Sequence, residues 1–394
     1  MNGDKSADAR SSGNLGVILA LGTTQTIAGA SSYYLPAILA APIARDLNVT
    51  PTLVFGALSG ALVISGILGP RIGHTIDMVG GRGMLAVANG VLALGLGLLS
   101  FASGPVLLFT AWIVLGVGMG MGLYEAAFAT LTRIYGMGAR KPITGITLIA
   151  GFASTIGWPL TAWLDARYGW RATCQCWALI HLLLALPLNL TLPRATSALP
   201  VHEEPVAQRT PRENSLIMIA LAYVFAATGF VSSGISALLP TMLTQFGATT
   251  ATALLAGALV GPAQVAARLV EAGWLSRYHP LLSARLATLL NPLGILTLLI
   301  GGPVVAPLFA VLYGAGNGIL TIARGTLPLA LFGPEGFGKR VGLISLPARA
   351  TGAIAPLALG LMTEHFVTGA LWFSAFVSLS AFVVLFFLKS GRKS

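Results

Sequence analysis

Five charged side chains lie well inside long apolar stretches of this sequence, namely Glu125, Arg268, Glu271, Arg324 and Arg349. Charge at membrane depth is costly, so each is a functional candidate. Arg349 lies about nine residues into its stretch, roughly 13 Å from the nearer edge. Because arginine stays charged when buried, it needs a partner. Binding of a substrate anion and a structural ion pair between helices both remain open.

The other four charged residues lie nearer the ends of their stretches. Glu125 could carry a coupling proton, because removal from water favours a neutral carboxyl group, or it could be the permanent partner of an arginine. Arg268 and Glu271 are three residues apart and can pair on one helical face. An intracellular gate, or snorkelling to the interface, is expected for all four. Arg324 is the best candidate among them for substrate contact.

Uncharged polar side chains also occur in these stretches. Gln25 lies about ten residues into the first one, Tyr33 follows in the polar, aromatic part of the same stretch, and Asn317 lies in the tenth stretch. These three are predicted to contact a ligand, whereas the small hydroxyls near them more often bond to adjacent helices. Alternating glycines at 116–122 and 314–318 are expected to permit close helix approach. They are not phosphate loops, because no strand precedes them.

Cys174 and Cys176 could ligate a soft metalloid ion. Residues two apart on a helix point about 200° apart, however, so small apolar packing is the preferred interpretation. The sequence has no His/Cys/carboxylate cluster with metal-site spacing, no nucleophile–base pattern and no Walker-type motif for ATP hydrolysis. We therefore predict no metal, no cofactor and no enzymatic activity.

The composition sets the class of protein that carries these residues. The 394 residues contain 23 Lys and Arg and 12 Asp and Glu, a charged fraction of 9%, whereas soluble proteins have about 25%. Hydrophobic residues make up 55%, and the mean hydropathy is +0.84. This excludes a soluble enzyme, a disordered chain and a secreted disulfide scaffold. The net charge of +11 does not indicate nucleic-acid binding, because the cations are scattered among short loops.

The apolar runs predict an all-α polytopic membrane protein with twelve transmembrane helices in two six-helix bundles. A helical span needs roughly 20 apolar residues, and these runs lack the alternation of barrel strands. The polar residues before the first run lack the features of a signal peptide, so that run is expected to stay in the mature protein. The predicted spans, numbered 1 to 12, are residues 15–40, 53–72, 84–103, 105–131, 142–164, 171–192, 215–243, 249–272, 281–301, 303–325, 341–363 and 368–388.

Charge asymmetry predicts the orientation, because Lys and Arg are enriched on the cytoplasmic side. With the N-terminus inside, seventeen Lys and Arg fall in inner segments, three lie within spans, and three fall in outer segments, namely Arg45, Arg167 and Arg171. We therefore expect a multi-pass protein of the plasma membrane, such as a bacterial inner membrane, with both termini cytoplasmic.

The predicted domains follow from the longest hydrophilic stretch. Residues 193–214 are rich in proline and charge and are expected to form an extended cytoplasmic linker. They separate a first bundle at 15–192 from a second bundle at 215–388. Cytoplasmic tails are expected at 1–14 and 389–394.

The two halves resemble each other in sequence. Residues 118–131 align with residues 314–327 at an offset of 196, with six of fourteen positions identical. Spans 5 and 11 align at an offset of 197, which brings Pro159 over Pro356. The nearly equal offsets favour a parallel duplication over the chance alignment of Gly- and Ala-rich helices. Parallel half-repeats with a central site are a transporter architecture.

The loop after span 2 carries a resemblance to a known family. Its residues Gly73, Asp77, Gly80 and Arg82 match the pattern G-x-x-x-D-x-x-G-x-R, which is similar to the span 2–3 signature of the major facilitator superfamily. Gly81 stands where a second basic residue is common. In span 5, Gly-Trp-Pro at 157–159 loosely resembles the Gly-Pro motif of that family, with one residue inserted.

The resemblance implies two six-helix bundles that rock about a central cavity lined by spans 1, 4, 7 and 10. It also implies that Asp77 and Arg82 latch the cytoplasmic side. The corresponding loop of the second half, Trp274–Leu282, does not keep the motif, so a symmetric latch is not expected there.

Together these observations predict a secondary active transporter that moves a small anionic or electron-rich solute by alternating access, coupled to protons. An efflux pump for drugs or trivalent metalloids is the alternative, and a channel or membrane-embedded enzyme is disfavoured. Expected partners are the solute, H⁺ and the lipid bilayer, without nucleic acid, and we expect a monomer. The predicted substrate contacts are Arg349, Gln25, Tyr33, Asn317 and Arg324. The predicted proton-coupling or gate residues are Glu125, Asp77, Arg82, Arg268 and Glu271.

Overall fold

A computed structural model describes residues 2–194 and 210–389, with side chains from residue 15 onward. Within these residues the chain is helical and contains no strand. Met1, residues 195–209 of the predicted linker and residues 390–394 of the predicted C-terminal tail lie outside the described residues. The predicted domain boundaries therefore stay predictions.

In the first half, residues 2–194 form nine α-helices joined by short turns. Two π-helical turns, at Gly29–Tyr33 and His181–Ala185, and one 3-10 turn, at Gly136–Ala139, continue the helical path between them. The helices are α1 (Asn2–Ala28), α2 (Pro36–Asp46), α3 (Pro51–Val79), α4 (Gly81–Ser100), α5 (Pro105–Gly122), α6 (Tyr124–Tyr135), α7 (Arg140–Ala150), α8 (Ala153–Ile180) and α9 (Leu186–Leu190).

The described residues of the second half form five α-helices, which are longer on average than those of the first half. Proline often occupies the first helical position, because it has no N–H that needs a partner there, and α10 and α12 both begin at a proline. In α10 a capping box between Thr210 and Glu213 satisfies the first backbone N–H groups. The helices are α10 (Pro211–Gln245), α11 (Thr250–Gly273), α12 (Pro280–Gly301), α13 (Ala306–Phe332) and α14 (Phe337–Phe387).

Nine continuous helical stretches within the described residues are long and apolar enough to cross a membrane. One of them, Pro105–Leu190, has 86 residues, and a straight helix of that length would exceed the bilayer core about fourfold. It is divided by the 3-10 turn at Gly136–Ala139 and by Gly169, where φ is 81°. A non-helical residue, Phe366, divides α14 in the same way. These divisions are consistent with the twelve predicted spans.

The chain separates into two compact units. Unit 1 is Met1–Val201 with Pro334–Gly342. Its core includes the buried rings of Trp112 and Trp177, and the Trp177 indole donates a hydrogen bond to the Thr161 hydroxyl (3.1 Å). This bond joins the two halves of α8 side by side, as expected for spans 5 and 6.

Unit 2 is His202–Gly333 with Leu343–Ser394. Its core includes Phe309 and Tyr313, and the Tyr313 hydroxyl donates to the carbonyl oxygen of Ser232 on α10 (2.7 Å). Helix α14 is joined to α10 as well, because the Ser233 hydroxyl donates to the carbonyl of Gly352 (2.7 Å). These hydroxyl groups are thus paired across helices, as an environment without water favours.

Large apolar side chains are exposed on the outer faces of both units. Val106, Ile300 and Val304 are 82%, 78% and 84% exposed. An aqueous surface of this kind would aggregate, whereas lipid solvates it. The exposed residues therefore agree with a multi-pass membrane protein.

Glycines mark the closest helix contacts, which confirms the prediction of close approach. A Cβ atom on Gly116 would lie 2.6 Å from the carbonyl oxygen of Ala61 in α3. One on Gly314 would lie 2.6 Å from the carbonyl oxygen of Val260 in α11. No side chain fits at such distances, so these positions require glycine.

The same contacts correct the register of the internal repeat. Gly116 packs on the second span of its unit and Gly314 on the equivalent span of the other unit, and these glycines are 198 residues apart. Gly118 packs on α4, and Gly316, also 198 residues later, packs on α12. The sequence alignment at 196 is therefore displaced by two residues. Because glycine recurs at every second position, the glycines match in both registers, and the packing partners identify the structural one.

Candidate functional site

Span 4 is interrupted at Leu123, between α5 and α6. This residue is extended, with φ −88° and ψ −172°, so α5 ends at Gly122 and α6 begins one residue later. The Gly122 carbonyl accepts a hydrogen bond from the buried side-chain amide of Gln25 (2.6 Å). Non-helical backbone at membrane depth needs such partners, and broken helices commonly form binding sites in transporters.

Glu125 lies in the first turn of α6, directly after this break, and is half-buried. The partial positive charge of a helix N-terminus stabilises a carboxylate there. Its neighbour Tyr124 stacks on Phe128 with ring centroids 5.4 Å apart. Gln25 and Glu125, which the sequence assigned to different roles, therefore flank the same one-residue interruption.

Tyr33 lies in the π-helical turn of the first span and is 40% exposed. Its ring meets that of Tyr34 edge-on, 5.1 Å between centroids, and Tyr34 in turn meets Trp158 (6.0 Å). At the same level a Cβ on Gly157 would lie 2.5 Å from that of Ala30. The Gly-Trp-Pro segment thus brings span 5 against span 1 beneath an accessible aromatic cluster.

In unit 2, Asn317 and Arg324 share one face of α13, because seven residues make almost two full turns. Asn317 is buried, and within the described part of the chain its Nδ2 atom has no hydrogen-bond partner. Arg324 places its guanidinium carbon 6.0 Å from the Phe225 ring centroid, a cation–π distance. The two polar groups are about 10 Å apart along the helix.

Arg349 is half-buried on α14, two residues after Pro347. The adjacent Thr351 hydroxyl donates to the Ala226 carbonyl on α10 (3.0 Å), and a Cβ on Gly229 would lie 3.2 Å from the Ala348 carbonyl. The backbone that carries Arg349 is thus held tightly against α10.

Arg268 and Glu271 on α11 are buried, with 5% and 1% of their surface exposed. Side chains this deeply enclosed do not reach toward a membrane interface, so snorkelling does not fit them. A gate or a structural pairing inside unit 2 remains.

The loop after α3 is held by its signature residues. The Asp77 carboxylate accepts hydrogen bonds from the backbone N–H groups of Gly338 (2.8 Å) and Lys339 (2.9 Å), in the first turn of α14. Gly80 has φ 90°, a conformation that favours glycine. Arg82 is half-buried in the first turn of α4. The latch that the resemblance implies thus has a hydrogen-bonding basis at Asp77, while its role in transport stays a prediction.

Gly81 departs from the family pattern for a packing reason. A Cβ atom there would overlap the side chain of Thr130 on α6. The larger basic residue that is common at this position would not fit beside that helix.

The two cysteines lie at one end of span 6. Cys174 is buried, Cys176 is partly buried, and both are free thiols. Among the described residues no group of three or more His, Cys, Asp or Glu side chains could hold a metal ion.

The sequence interpretation missed His181. It is fully buried in the π-helical turn of span 6, 2.7 Å from the Ser31 hydroxyl and 2.8 Å from the Asn89 amide oxygen. A lone histidine in the middle of an apolar span was the available signal.

Comparison with known proteins places this arrangement in a family. A family model described as Major Facilitator Superfamily matches residues 21–320. The chain belongs to this superfamily. Like other major facilitator proteins it is a secondary transporter of the membrane and not an enzyme.

The curated relatives of this major facilitator protein are distant. An uncharacterised MFS-type transporter, YcnB, of Bacillus subtilis (strain 168) is 30% identical over 161 residues, which cover 39% of this chain and 34% of the relative. The chain thus matches about a third of that relative's length. An uncharacterised 38 kDa protein in the 23S RNA operon of Thermoproteus tenax is 26% identical over 82% of each chain.

Solved structures share the fold. The human organic anion transporter MFSD10 (TETRAN) matches with a TM-score of 0.71 at 16% identity, over 94% of this chain and 98% of that one. The proton:xylose symporter XylE matches with a TM-score of 0.73 at 14% identity, over 95% and 96%. FucP in the outward conformation matches with a TM-score of 0.71 at 14% identity, over 96% and 99%.

Proposed function

We propose that this major facilitator protein is a proton-coupled transporter of a small anionic or electron-rich solute, located in the plasma membrane with both termini cytoplasmic. The observation that carries the proposal is Arg349, a permanent cation near the middle of its span on backbone that is fastened to α10. A fixed cation at this depth suits an anion whose own charge must cross the membrane.

The charge balance of unit 2 supports an anionic solute. Arg268, Arg324 and Arg349 lie well inside its predicted spans and Arg285 lies near the start of one, against the single carboxylate of Glu271. Asn317 and Arg324 add a donor and a second cation on one face of α13. Among the structures with this fold, one is titled an organic anion transporter, so the fold is compatible with such a solute.

Unit 1 supports proton coupling. Glu125 is a half-buried carboxyl group beside the interruption of span 4, where Gln25 also binds. A carboxyl group at such a flexible point can exchange its proton as the helix moves. The similar fold of a proton:xylose symporter is compatible with this chemistry.

The substrate is to be found first and then used to test Arg349. A thermal-shift screen of the purified protein against metabolite anions, sugars, drugs and metalloid oxyanions selects ligands for transport in proteoliposomes. Arg349→Ala should reduce uptake of the selected anion about a hundredfold. Arg349→Lys should keep part of the uptake, because lysine retains the positive charge but lacks the planar guanidinium group that can donate two parallel hydrogen bonds. Arg45→Ala, an exposed arginine outside the spans, is the matched control. Normal uptake kinetics in Arg349→Ala would refute the proposal.

Coupling is tested at Glu125 in the same vesicles. Glu125→Gln mimics the protonated carboxyl group, so solute exchange should continue while accumulation driven by a pH gradient is lost. Unchanged accumulation would remove Glu125 from the coupling site. Comparing inward and outward pH gradients also separates uptake from efflux.

A further inference from the structure

His181 occupies a polar junction that none of the roles above uses. Its ring lies in the interior of unit 1, where the first span, α4 and span 6 meet, about 18 Å along the helix from the turn at Gly169. It belongs to one π-helical turn, and its partner Ser31 belongs to the other. Such turns occur frequently at functional sites, and here two of them share a hydrogen bond.

Asn89 determines which hydrogen the ring must carry. The amide nitrogen of Asn89 donates to the carbonyl of Leu85 (2.8 Å), so its oxygen is the atom that faces His181 Nδ1. That oxygen only accepts. Nδ1 therefore carries a hydrogen, whether the ring is neutral or charged.

Ser31 allows two arrangements on the other side of the ring. Its hydroxyl has one hydrogen but two acceptors within reach, the Ile27 carbonyl (2.8 Å) and His181 Nε2 (2.7 Å). If the hydroxyl donates to Nε2, the ring is neutral. If it donates to Ile27, then Nε2 must donate to the hydroxyl oxygen, and the ring is an imidazolium. Adding one proton reverses one hydrogen bond and leaves the ring with two partners in both states.

We propose that His181 is a reversible proton-binding site whose charge state is transmitted to the π-helical turn of the first span. On protonation, a hydronium ion from the solvent gives its proton to Nε2 and becomes water, and the Ser31 hydroxyl turns from the ring to the Ile27 carbonyl. Deprotonation reverses both changes.

The hydrogen-bond partners, and not a neighbouring carboxylate, stabilise the charged ring. Asp165 lies on the half of α8 that packs beside span 6, where Thr161 meets Trp177. His181 and Asp165 lie on opposite sides of this contact, each four residues from it, so they are about 12 Å apart along the helix axis. The other titratable or charged groups on the packed elements are Tyr33 and Tyr34 on the first span, Arg82 on α4, Arg167 and Tyr168 on α8, and Arg171, Cys174 and Cys176 on span 6.

A buried cation held only by hydrogen bonds is sensitive to the position of its partners. Withdrawal of Ser31 by movement of the first span would leave Nε2–H without an acceptor and expel the proton. The same span carries Gln25 and Tyr33, so proton binding at His181 would alter solute affinity. This last link rests on the proposed function, whereas proton binding itself does not.

The test is ¹⁵N NMR of histidine-labelled full-length protein in lipid nanodiscs, with the His181 signal assigned by its loss in His181→Gln. Spectra are recorded between about pH 4 and about pH 8, because histidine charge ordinarily changes between about pH 5 and about pH 8 and removal from water disfavours the imidazolium. We expect a neutral ring protonated at Nδ1 at the alkaline end and a doubly protonated ring at the acidic end. A ring that stays neutral throughout, or a neutral ring protonated at Nε2, would overturn the proposal.

Two serines of the same π-helical turn provide the matched pair. Ser31→Ala should lower the fraction of protonated His181 at the acidic end. Ser32→Ala should not, because the Ser32 hydroxyl donates to the Ala28 carbonyl and not to the ring. Equal effects of the two variants would contradict the proposed arrangement. Failure to find an anionic solute would refute the proposed function but leave this titration unaffected.

Discussion

Replacing Asp77 by alanine tests the hydrogen-bonding basis of the predicted latch. The change removes both carboxylate bonds to the first turn of α14. A hydrogen bond to a charged group contributes about 1.5–3 kcal/mol. Water can replace part of this at Lys339, where the bond is exposed, so we take about 2 kcal/mol for the whole contact, including the helix dipole.

At tenfold for each 1.4 kcal/mol, this loss should accelerate hydrogen exchange of the Gly338 and Lys339 amides about thirtyfold. Mass spectrometry or NMR of the purified protein measures it directly. Exchange in Asp77→Asn should be faster than in the unmodified protein and slower than in Asp77→Ala, because asparagine keeps one acceptor oxygen without the charge.

Thr75→Ala is the control, since that exposed hydroxyl bonds only within its own helix, to the Arg71 carbonyl. Unchanged exchange in Asp77→Ala would show that the carboxylate does not hold the start of α14. An equal acceleration in Thr75→Ala would show that any loss of polarity in α3 has the same effect.

Further predictions concern packing and thiols. Gln25→Leu should lower the free energy of unfolding by about 1–3 kcal/mol, because the carbonyl at the break in span 4 loses its buried donor; an unchanged thermal midpoint would contradict this. Gly116→Ala should lower the free energy of unfolding by a similar amount, because the added methyl group overpacks the contact with α3. Gly90→Ala should have little effect, because Gly90 faces open space. Equal thermal midpoints for the two variants would exclude the packing argument. The double variant Cys174→Ser, Cys176→Ser should retain transport, and its loss would restore the metalloid interpretation.

The spans were predictable because the bilayer imposes a length and a polarity that each must satisfy. The internal geometry of a span was not. Span 4 is interrupted at Leu123, a residue with good helical propensity, and the conformation depends on the Gln25 side chain almost a hundred residues away. Local sequence does not contain that information.

The candidate site divides in the same way. Arg349 and Glu125 are recognisable because an isolated charge in an apolar run is costly wherever the chain folds. His181 carries no such obligatory charge, and its meaning comes from Ser31 and Asn89, which lie 150 and 92 residues away. Its role becomes visible only when three helices are packed together.

The interruption at Leu123 also bears on how unit 1 can change shape. An intact helix resists bending at mid-membrane, because each lost backbone bond exposes a polar group to hydrocarbon. In span 4 the Gln25 amide already offsets that cost, so α5 and α6 can pivot about Leu123. The hydrogen bond from Gln25 to the Gly122 carbonyl couples this pivot to the first span. Its counterpart α13 is continuous from Ala306 to Phe332 and must move as one rod. The corresponding helices of the two units thus differ in where they can bend.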